Sequence, residues 1–325
     1  MGCIILGTGS ALPRKIVTNK ELEKLVDTSD EWIRTRTGIE QRHISGPGEY
    51  THILAASAAQ KALDMAGITA AEIDLIIVAT ISSHMLMPSS ACFVQRELGA
   101  HKAFAFDLNA ACSGFLYGLD LADKYIQADR EKKILVIGAE TLSSRLNWQD
   151  RNTCILFGDG AGAAVVGACD DEQRGILGAD HYSDGNLWNL LYMHTAESCN
   201  PDITVENWCG SHIVMEGREV FKHAVKAMED AVRGLLGRTG VNTADLKLVI
   251  PHQANVRILN KLVERLELPS EKVFINAPRY GNTSAASIPI ALDEANRDER
   301  IEKNDLILFC SFGGGFTWGA SLLKW

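Results

Sequence analysis

Apolar positions along the chain fall into short buried runs separated by longer amphipathic ones. Residues 51 to 66 form an Ala/Leu-rich stretch of helical spacing that stops at Gly67, and residues 218 to 237 repeat that arrangement ahead of Gly240. A glycine just past the last periodic residue suits a left-handed C-cap, so both stretches are expected to be helices. The segments that follow also match. Gly67-Ile-Thr-Ala-Ala-Glu-Ile-Asp-Leu-Ile-Ile77 reads like Gly240-Val-Asn-Thr-Ala-Asp-Leu-Lys-Leu-Val-Ile250: a helix end, an acidic turn, then a buried strand.

Each half then predicts a second helix, a short apolar strand (Ala103 to Leu108; Lys272 to Asn276), a third helix and another buried strand (Lys133 to Ile137; Leu306 to Phe309). Both halves close on a Gly-rich hairpin signal, Gly158-Asp-Gly-Ala-Gly-Ala-Ala-Val165 and Gly313-Gly-Gly-Phe-Thr-Trp-Gly-Ala320. Strands alternating with helices imply mixed, helix-covered sheets, an α/β class. The shared order implies two pseudo-symmetric halves, residues 1–172 and 173–325. Between Asp184 and Gly217 the second half carries a longer irregular stretch with Trp188, Cys199, Pro201 and Trp208. Such a loop is either a lid over a site or a variable surface insertion.

The repeat also focuses the chemistry. Cys112 follows the strand Phe104-Ala-Phe-Asp-Leu-Asn109 and opens the helix-periodic run Ser113 to Ile126. Unpaired N–H groups and the dipole at a helix start favour a thiolate, so a lowered cysteine pKa is expected there. Taken alone, a cysteine between alanines reads better as packing. The repeat offset carries position 112 to position 285, inside Asn282-Thr-Ser-Ala-Ala-Ser287, which sets Asn282 opposite Cys112. His252 stands at the C-terminal end of the second copy's buried strand, where α/β sheets collect ligands and catalytic groups. A thiol, an imidazole and a carboxamide at such a seam can bind acyl groups covalently and polarise their carbonyls.

Composition narrows the classes. The chain has 325 residues, 46% of them hydrophobic, enough for one large or two modest cored domains. With 32 basic against 41 acidic residues the net charge is -9, which argues against general attraction to nucleic acid or an anionic membrane. The eight cysteines show no Cys-x-x-Cys pair, so neither a metal site nor a disulfide framework is expected, and a reducing cytoplasm fits. The N-terminus lacks signal-peptide character, and no run approaches the ~20 apolar residues of a membrane span.

Four segments, Ala110-Ala-Cys-Ser-Gly-Phe115, Pro251-His-Gln-Ala-Asn255, Tyr280-Gly-Asn-Thr-Ser-Ala-Ala-Ser287 and Phe312-Gly-Gly-Gly-Phe-Thr-Trp-Gly319, resemble the signatures of β-ketoacyl-acyl carrier protein synthase III, in the thiolase superfamily. The resemblance spans essentially the whole chain. It implies a thiolase-like fold with mixed five-stranded sheets layered α-β-α-β-α, and a homodimer. It also implies a ping-pong reaction in which Cys112 takes an acyl group from acyl-coenzyme A, and malonyl-acyl carrier protein loses carbon dioxide and attacks that acyl-enzyme. Coenzyme A enters as a substrate thioester, and no cofactor is implied. His252 and Asn282 would stabilise the enolate, which requires a neutral, N–H-donating imidazole. The N–H groups of Cys112 and Gly314 would form the oxyanion hole, with Phe312 walling the site. Asparagine as the third residue separates the chain-initiating type from chain-elongating ketosynthases, which carry a second histidine there, and from thiolases, which carry a second cysteine.

Further roles follow from the same resemblance. Thr28, Trp32 and Arg36 match the coenzyme A entrance; an indole stacks on adenine, and Arg36 and Arg151 suit phosphate and planar-base contacts. Gly217 and Asn255 match positions flanking the pantetheine arm, and Met87 matches a residue that crosses a dimer interface into the neighbour's acyl pocket. Arg257, Lys261 and Arg265 recur every fourth residue, one helix face that with Lys222 could dock an acidic carrier protein or simply be solvated. Glu264 replaces one member of the family's basic pair there. Two competing readings stay open: a same-fold paralogue with a different acceptor, and, from another class, a cysteine acyl hydrolase. A non-catalytic scaffold partner would normally lose the nucleophile, which this chain keeps.

Overall fold

The computed structural model describes residues 2–171, 173–199 and 210–325. Two sheets form its frame. The first holds β1 (Cys3–Ala11), β2 (Leu75–Ala79), β3 (Phe104–Leu108), β4 (Ile134–Glu140) and β5 (Gly160–Ala168) in the order β1-β5-β4-β2-β3. The second holds β6 (Gly175–Ser183), β7 (Leu248–Pro251), β8 (Leu306–Gly313) and β9 (Thr317–Lys324) in the order β6-β9-β8-β7. The pairings correspond as well: β2 runs parallel to β4 as β7 does to β8, and β4 is antiparallel to β5 as β8 is to β9.

The helices of eight residues or more are α1 (Asp30–Thr37), α2 (Thr51–Ala66), α3 (Ser90–Leu98), α4 (Gly114–Ala128), α5 (Gly217–Thr239), α6 (Val256–Arg265) and α7 (Ser287–Arg297). Three apolar clusters show the layering. Alanines of α2 (Ala55, Ala58, Ala59, Ala62) cover the outer face of the first sheet, with Val94 of α3 beside them. Val232, Leu235 and Leu262 of α5 and α6 cover the outer face of the second. Between the sheets, Phe115 and Leu119 of α4 and Ile288 and Leu292 of α7 pack against Ile77, Val136, Ile250 and Phe309. The arrangement is α-β-α-β-α, as expected. Burying both sheets on both faces explains why β2, β4 and β7 are continuous apolar runs without alternation. Gly67 and Gly240 do cap α2 and α5 in the left-handed conformation. No helix among the described residues is long and apolar enough to cross a membrane.

Two details differ from expectation. The predicted strand Lys272 to Asn276 shrinks to one parallel bridge, Val249 to Val273, so the second sheet has four strands rather than five. The side chain of Gln253 takes the place of the ladder: its Nε2 donates to Phe274 O (3.0 Å) and its Oε1 accepts from Asn276 N (2.9 Å) and Ala277 N (3.2 Å). The first Gly-rich signal is not a tight hairpin. A segment from 141 to 159 separates β4 from β5; it leaves Arg151 exposed and Trp148 half-buried and buries Phe157.

Candidate functional site

Cys112 lies in a tight turn, Ala111–Ser113, between β3 and α4. Ala111 has a positive φ of 45°, a strained value for a side-chain-bearing residue, which turns the chain sharply enough to aim the thiol out of the sheet seam. The turn is tied to β9, since Thr317 Oγ1 donates to Ala110 O (2.8 Å) and Ser113 Oγ donates to Thr317 O (3.1 Å). It is also pressed by the end of β8: a Cβ on Gly313 would stand 2.6 Å from Cys112 N, so only glycine allows this approach.

His252 follows β7, with its N–H donating to Cys310 O of β8 (2.8 Å). Its Nδ1 is 2.7 Å from Ser287 Oγ, and that hydroxyl oxygen accepts the Gln253 N–H (3.3 Å). A serine hydrogen pointed at Nδ1 leaves the ring proton on Nε2, the tautomer that donation to an enolate requires. Burial holds the His252 pKa down to about 3, so the imidazole is neutral. Both conditions match a neutral N–H donor.

Asn282 hangs from the 141–159 segment through Asn282 N to Leu156 O (2.8 Å) and Gly158 N to Asn282 O (3.0 Å). A Cβ on Gly158 would lie 2.2 Å from Tyr280 O, so glycine is needed where these strands pass. Asn282 Oδ1 accepts from Ser284 N (2.8 Å), which turns the amide NH₂ outward as a donor.

The thiol departs from the expected electrostatics. Burial pushes the Cys112 pKa up to about 12; the neighbouring Ser284 hydroxyl lowers it and the Glu140 carboxyl raises it. Cys112 sits in the turn ahead of α4 and is enclosed, so loss of solvent is the largest influence on its thiol.

Cys112, His252, Asn282 and Phe312 line one cavity of about 820 Å³, and Trp32, Arg36, Gly217, Lys222, Asn255 and Arg257 line it too. Arg151 stands just outside, its guanidinium 5.0 Å from the Trp32 ring centre, with Arg36 at 5.8 Å. Thr28 does not reach this cavity, though its Oγ1 is buried and without a hydrogen-bond partner. A second cavity of about 520 Å³ meets the first at Cys112, with Gly314, Ser284, Leu142 and Phe157 in its wall. The irregular loop adds Trp188, Leu191, Tyr192 and Thr195 to that wall, so the described part of the loop is a lining segment. Trp208 and Pro201 fall outside the described residues, and Cys199 is exposed. Met87 is exposed and lines neither cavity of its own chain; Leu86 beside it reaches the second.

The basic face is less free than its spacing suggested. Lys261 pairs with Glu264 (2.6 Å), Lys222 with Glu219 (2.8 Å), and Arg265 faces Glu229 (3.6 Å). Arg257 instead lies over the Phe221 ring (5.8 Å) at the cavity wall. Ser284, Ser287 and Glu140 were not singled out by sequence. The two serines stand inside a quoted motif, Asn282 to Ser287, and that was their only available signal.

Comparison with known proteins gives a consistent result. Residues 106–185 match the 3-oxoacyl-[acyl-carrier-protein (ACP)] synthase III family and residues 236–325 match its C-terminal part. A β-ketoacyl-[acyl-carrier-protein] synthase III of Desulfotalea psychrophila is 60% identical over 100% of both chains. The protein of that name from Aquifex aeolicus is 50% identical over 100% of both, and its crystal structure superposes with a TM-score of 0.92. A priming β-ketosynthase from a polyketide pathway, 36% identical over 99% of this chain and 96% of its own, also superposes at 0.92.

Proposed function

The chain belongs to the β-ketoacyl-[acyl-carrier-protein] synthase III family, the condensing enzymes that start fatty acid chains, and on that premise we propose that Cys112 is its acylated nucleophile and His252 and Asn282 its enolate-stabilising pair. The observation that carries this reading is the convergence of all three side chains on one cavity whose far wall holds Trp32 and Arg36. An acyl-coenzyme A thioester enters there with its adenine against Trp32. Arg151 and Arg36 contact the base and phosphates, and Gly217 and Asn255 flank the pantetheine arm.

Cys112 Sγ attacks the thioester carbonyl, and the Cys112 and Gly314 N–H groups receive the oxyanion. The acyl chain then occupies the second cavity, which meets the first at Cys112. Malonyl-acyl carrier protein presents its arm through the same entrance. Loss of carbon dioxide leaves an enolate whose oxygen accepts from His252 Nε2–H and the Asn282 amide, and its carbon attacks the acyl-enzyme. Decarboxylation drives the condensation, so the protein itself needs only a nucleophile and hydrogen-bond donors, and no metal or redox cofactor.

The same reading extends to assembly. Residues 1–172 and 173–325 are two copies of one unit, which the matching strand orders support. The exposed Met85, Leu86 and Met87 suit a homodimer interface at which Met87 closes the partner's acyl cavity. Arg257, with Lys222, Lys261 and Arg265 behind it, forms the carrier-protein docking face. The enzyme works in the cytoplasm, away from membrane and nucleic acid.

Intact-protein mass spectrometry after incubation with acetyl- and longer acyl-coenzyme A tests the core of this. Wild type should gain one acyl mass, discharged by malonyl-acyl carrier protein, and Cys112→Ala should gain none. An acyl-enzyme that only other acceptors discharge would point to the paralogue reading, and one that water alone discharges to the hydrolase.

A further inference from the structure

The proposed cycle sets a proton problem. Cys112 loses a proton when it is acylated and must regain one when condensation expels it. His252 is a poor temporary holder, because burial keeps it neutral and its Nε2–H is committed to the enolate.

Glu140, the last residue of β4, is fully buried beside the nucleophile. One of its oxygens is committed: Oε2 accepts from Ile81 N (3.2 Å), Thr80 Oγ1 (3.3 Å) and Ser82 Oγ. The other, Oε1, has no partner. Ser284 opens the turn Ser284–Ala286, which packs against both β4 and the turn bearing Cys112. It is also buried, and its Oγ is likewise without a partner. That hydroxyl lies alongside both the Cys112 thiol and the Glu140 carboxyl and lowers the pKa of each, without full hydrogen-bond geometry to either. Buried polar atoms are nearly always paired, so an orphan oxygen on the acid and another on the hydroxyl beside both acid and nucleophile call for a reason.

We infer that Glu140, acting through the Ser284 hydroxyl, holds the Cys112 proton between the two halves of the reaction. This rests on the acyl-Cys112 reading above. As Sγ attacks, its proton passes to Ser284 Oγ and the serine proton passes to Glu140 Oε1. The C–S bond to coenzyme A breaks, and the departing thiolate is protonated by solvent. When the enolate carbon bonds to the acyl carbon, the C–Sγ bond breaks and the Cys112 thiolate recovers its proton from Glu140 by the reverse path. One solvent proton is consumed per turnover, at the coenzyme A thiolate.

Burial raises the Glu140 pKa to about 7, against the lowering effect of Ser82, Ile81, Ser284 and Thr80, which suits a group that must both accept and return a proton near neutrality. The groups around it are accounted for. The turn 111–113 presents the Cys112 thiol, the segment after β2 presents Thr80 and Ser82, and the turn 284–286 presents Ser284. Farther along the chain Asp159 is engaged by Ser143 and Ser45, and Arg145 donates to Ser83 O.

Rapid-quench mass spectrometry of single-turnover acylation by acetyl-coenzyme A, followed across pH, tests this. In wild type the rate should fall about tenfold per pH unit below a bend near 7, as Glu140 protonates. Glu140→Gln keeps an oxygen for the three donors. It should slow acylation by about 10²-fold at high pH and abolish the bend, with the half-saturating acetyl-coenzyme A concentration unchanged. Ser284→Ala, which leaves the carboxyl and its donors in place, should lose a similar factor and decides the matter if Glu140→Gln does not fold. A bend that survives in Glu140→Gln, or wild-type rates in the folded variants, overturns the inference. Failure of wild-type Cys112 to acylate at all would instead overturn the reading beneath it.

Discussion

Ser287 Oγ stands 2.7 Å from His252 Nδ1 while accepting the Gln253 N–H, so one serine hydroxyl engages the Nδ1 edge of the imidazole and the backbone beside it. The serine is the first residue of α7, so the central helix layer itself orients the imidazole. Ser287→Ala frees the ring to rotate and to adopt the other tautomer. Condensation with malonyl-acyl carrier protein should fall about tenfold, equivalent to ~1.4 kcal/mol of transition-state stabilisation. Acylation by acyl-coenzyme A should persist, because it does not use the Nε2 proton. Separate rate measurements on the two half-reactions check this, and equal losses in both would mean the serine merely supports the fold.

Glu140 also makes the stability of the fold depend on pH. Its folded pKa is raised to about 7 from an ordinary 4.5, so between these values the folded protein binds more protons than the unfolded chain. The protonated form's advantage is complete below about 4.5 and is lost as pH rises through about 7. Glu140→Gln carries no such penalty, so its melting temperature relative to wild type should be higher at pH 8 than at pH 5, by up to about 3 kcal/mol in stability. His252 slopes the other way: with a folded pKa near 3, it favours folding above its ordinary value of 6.5 and loses that contribution as pH falls towards 3. The two effects oppose each other between 4.5 and 6.5, so the mutant comparison, and not the wild-type curve alone, isolates Glu140.

At the entrance, Arg151 rests over the Trp32 ring and also donates to Asp27 O (3.1 Å). An adenine sliding between ring and guanidinium would keep a stacking partner on both faces. A contact of this kind at an exposed site is worth about 0.5–1 kcal/mol. Arg151→Ala and Trp32→Ala should therefore raise KM for acyl-coenzyme A several-fold and leave kcat nearly unchanged, as expected for binding that is equal in ground and transition states. Steady-state kinetics with acetyl-coenzyme A at saturating malonyl-acyl carrier protein measures the split.

What the sequence revealed, and what it hid, has a physical pattern. Cys112, His252 and Asn282 could be singled out because the repeat sets them at strand ends or helix starts and because each stands in a segment that resembles a family signature, and the structure brings all three to one cavity. Glu140 was not. It ends the apolar run Ile134-Leu-Val-Ile-Gly-Ala-Glu140 and reads like a strand emerging into water, yet the segment 80–82 and the turn 284–286 close over it. The lost fifth strand has a similar cause, since the side chain of Gln253 intercepts backbone groups that local propensity would assign to a ladder. The second cavity was half legible: a long loop suggested a lid or an insertion, but nothing local placed Trp188 and Leu191 in the wall of a cavity that Cys112 also lines.

The docking face shows the same limit and yields a discriminating test. Periodicity correctly set Arg257, Lys261 and Arg265 along α6, but side-chain pairing across and along helices decides how much charge each presents. Lys261 is matched by Glu264 and Arg265 by Glu229, whereas Arg257 stacks on Phe221 at the cavity wall. A carrier protein approaching with an acidic surface meets the stacked arginine with less competition than the paired groups. Charge at the rim of an interface acts mainly on encounter and is screened by salt. Arg257→Ala should thus raise KM for malonyl-acyl carrier protein by about tenfold at low salt, with the effect shrinking as salt increases. Lys261→Ala should change it by less than about twofold, since it also releases Glu264. The reverse order of effects would mean that the carrier breaks the Lys261 pair on docking and that the whole helix face, rather than its entrance end, is the contact.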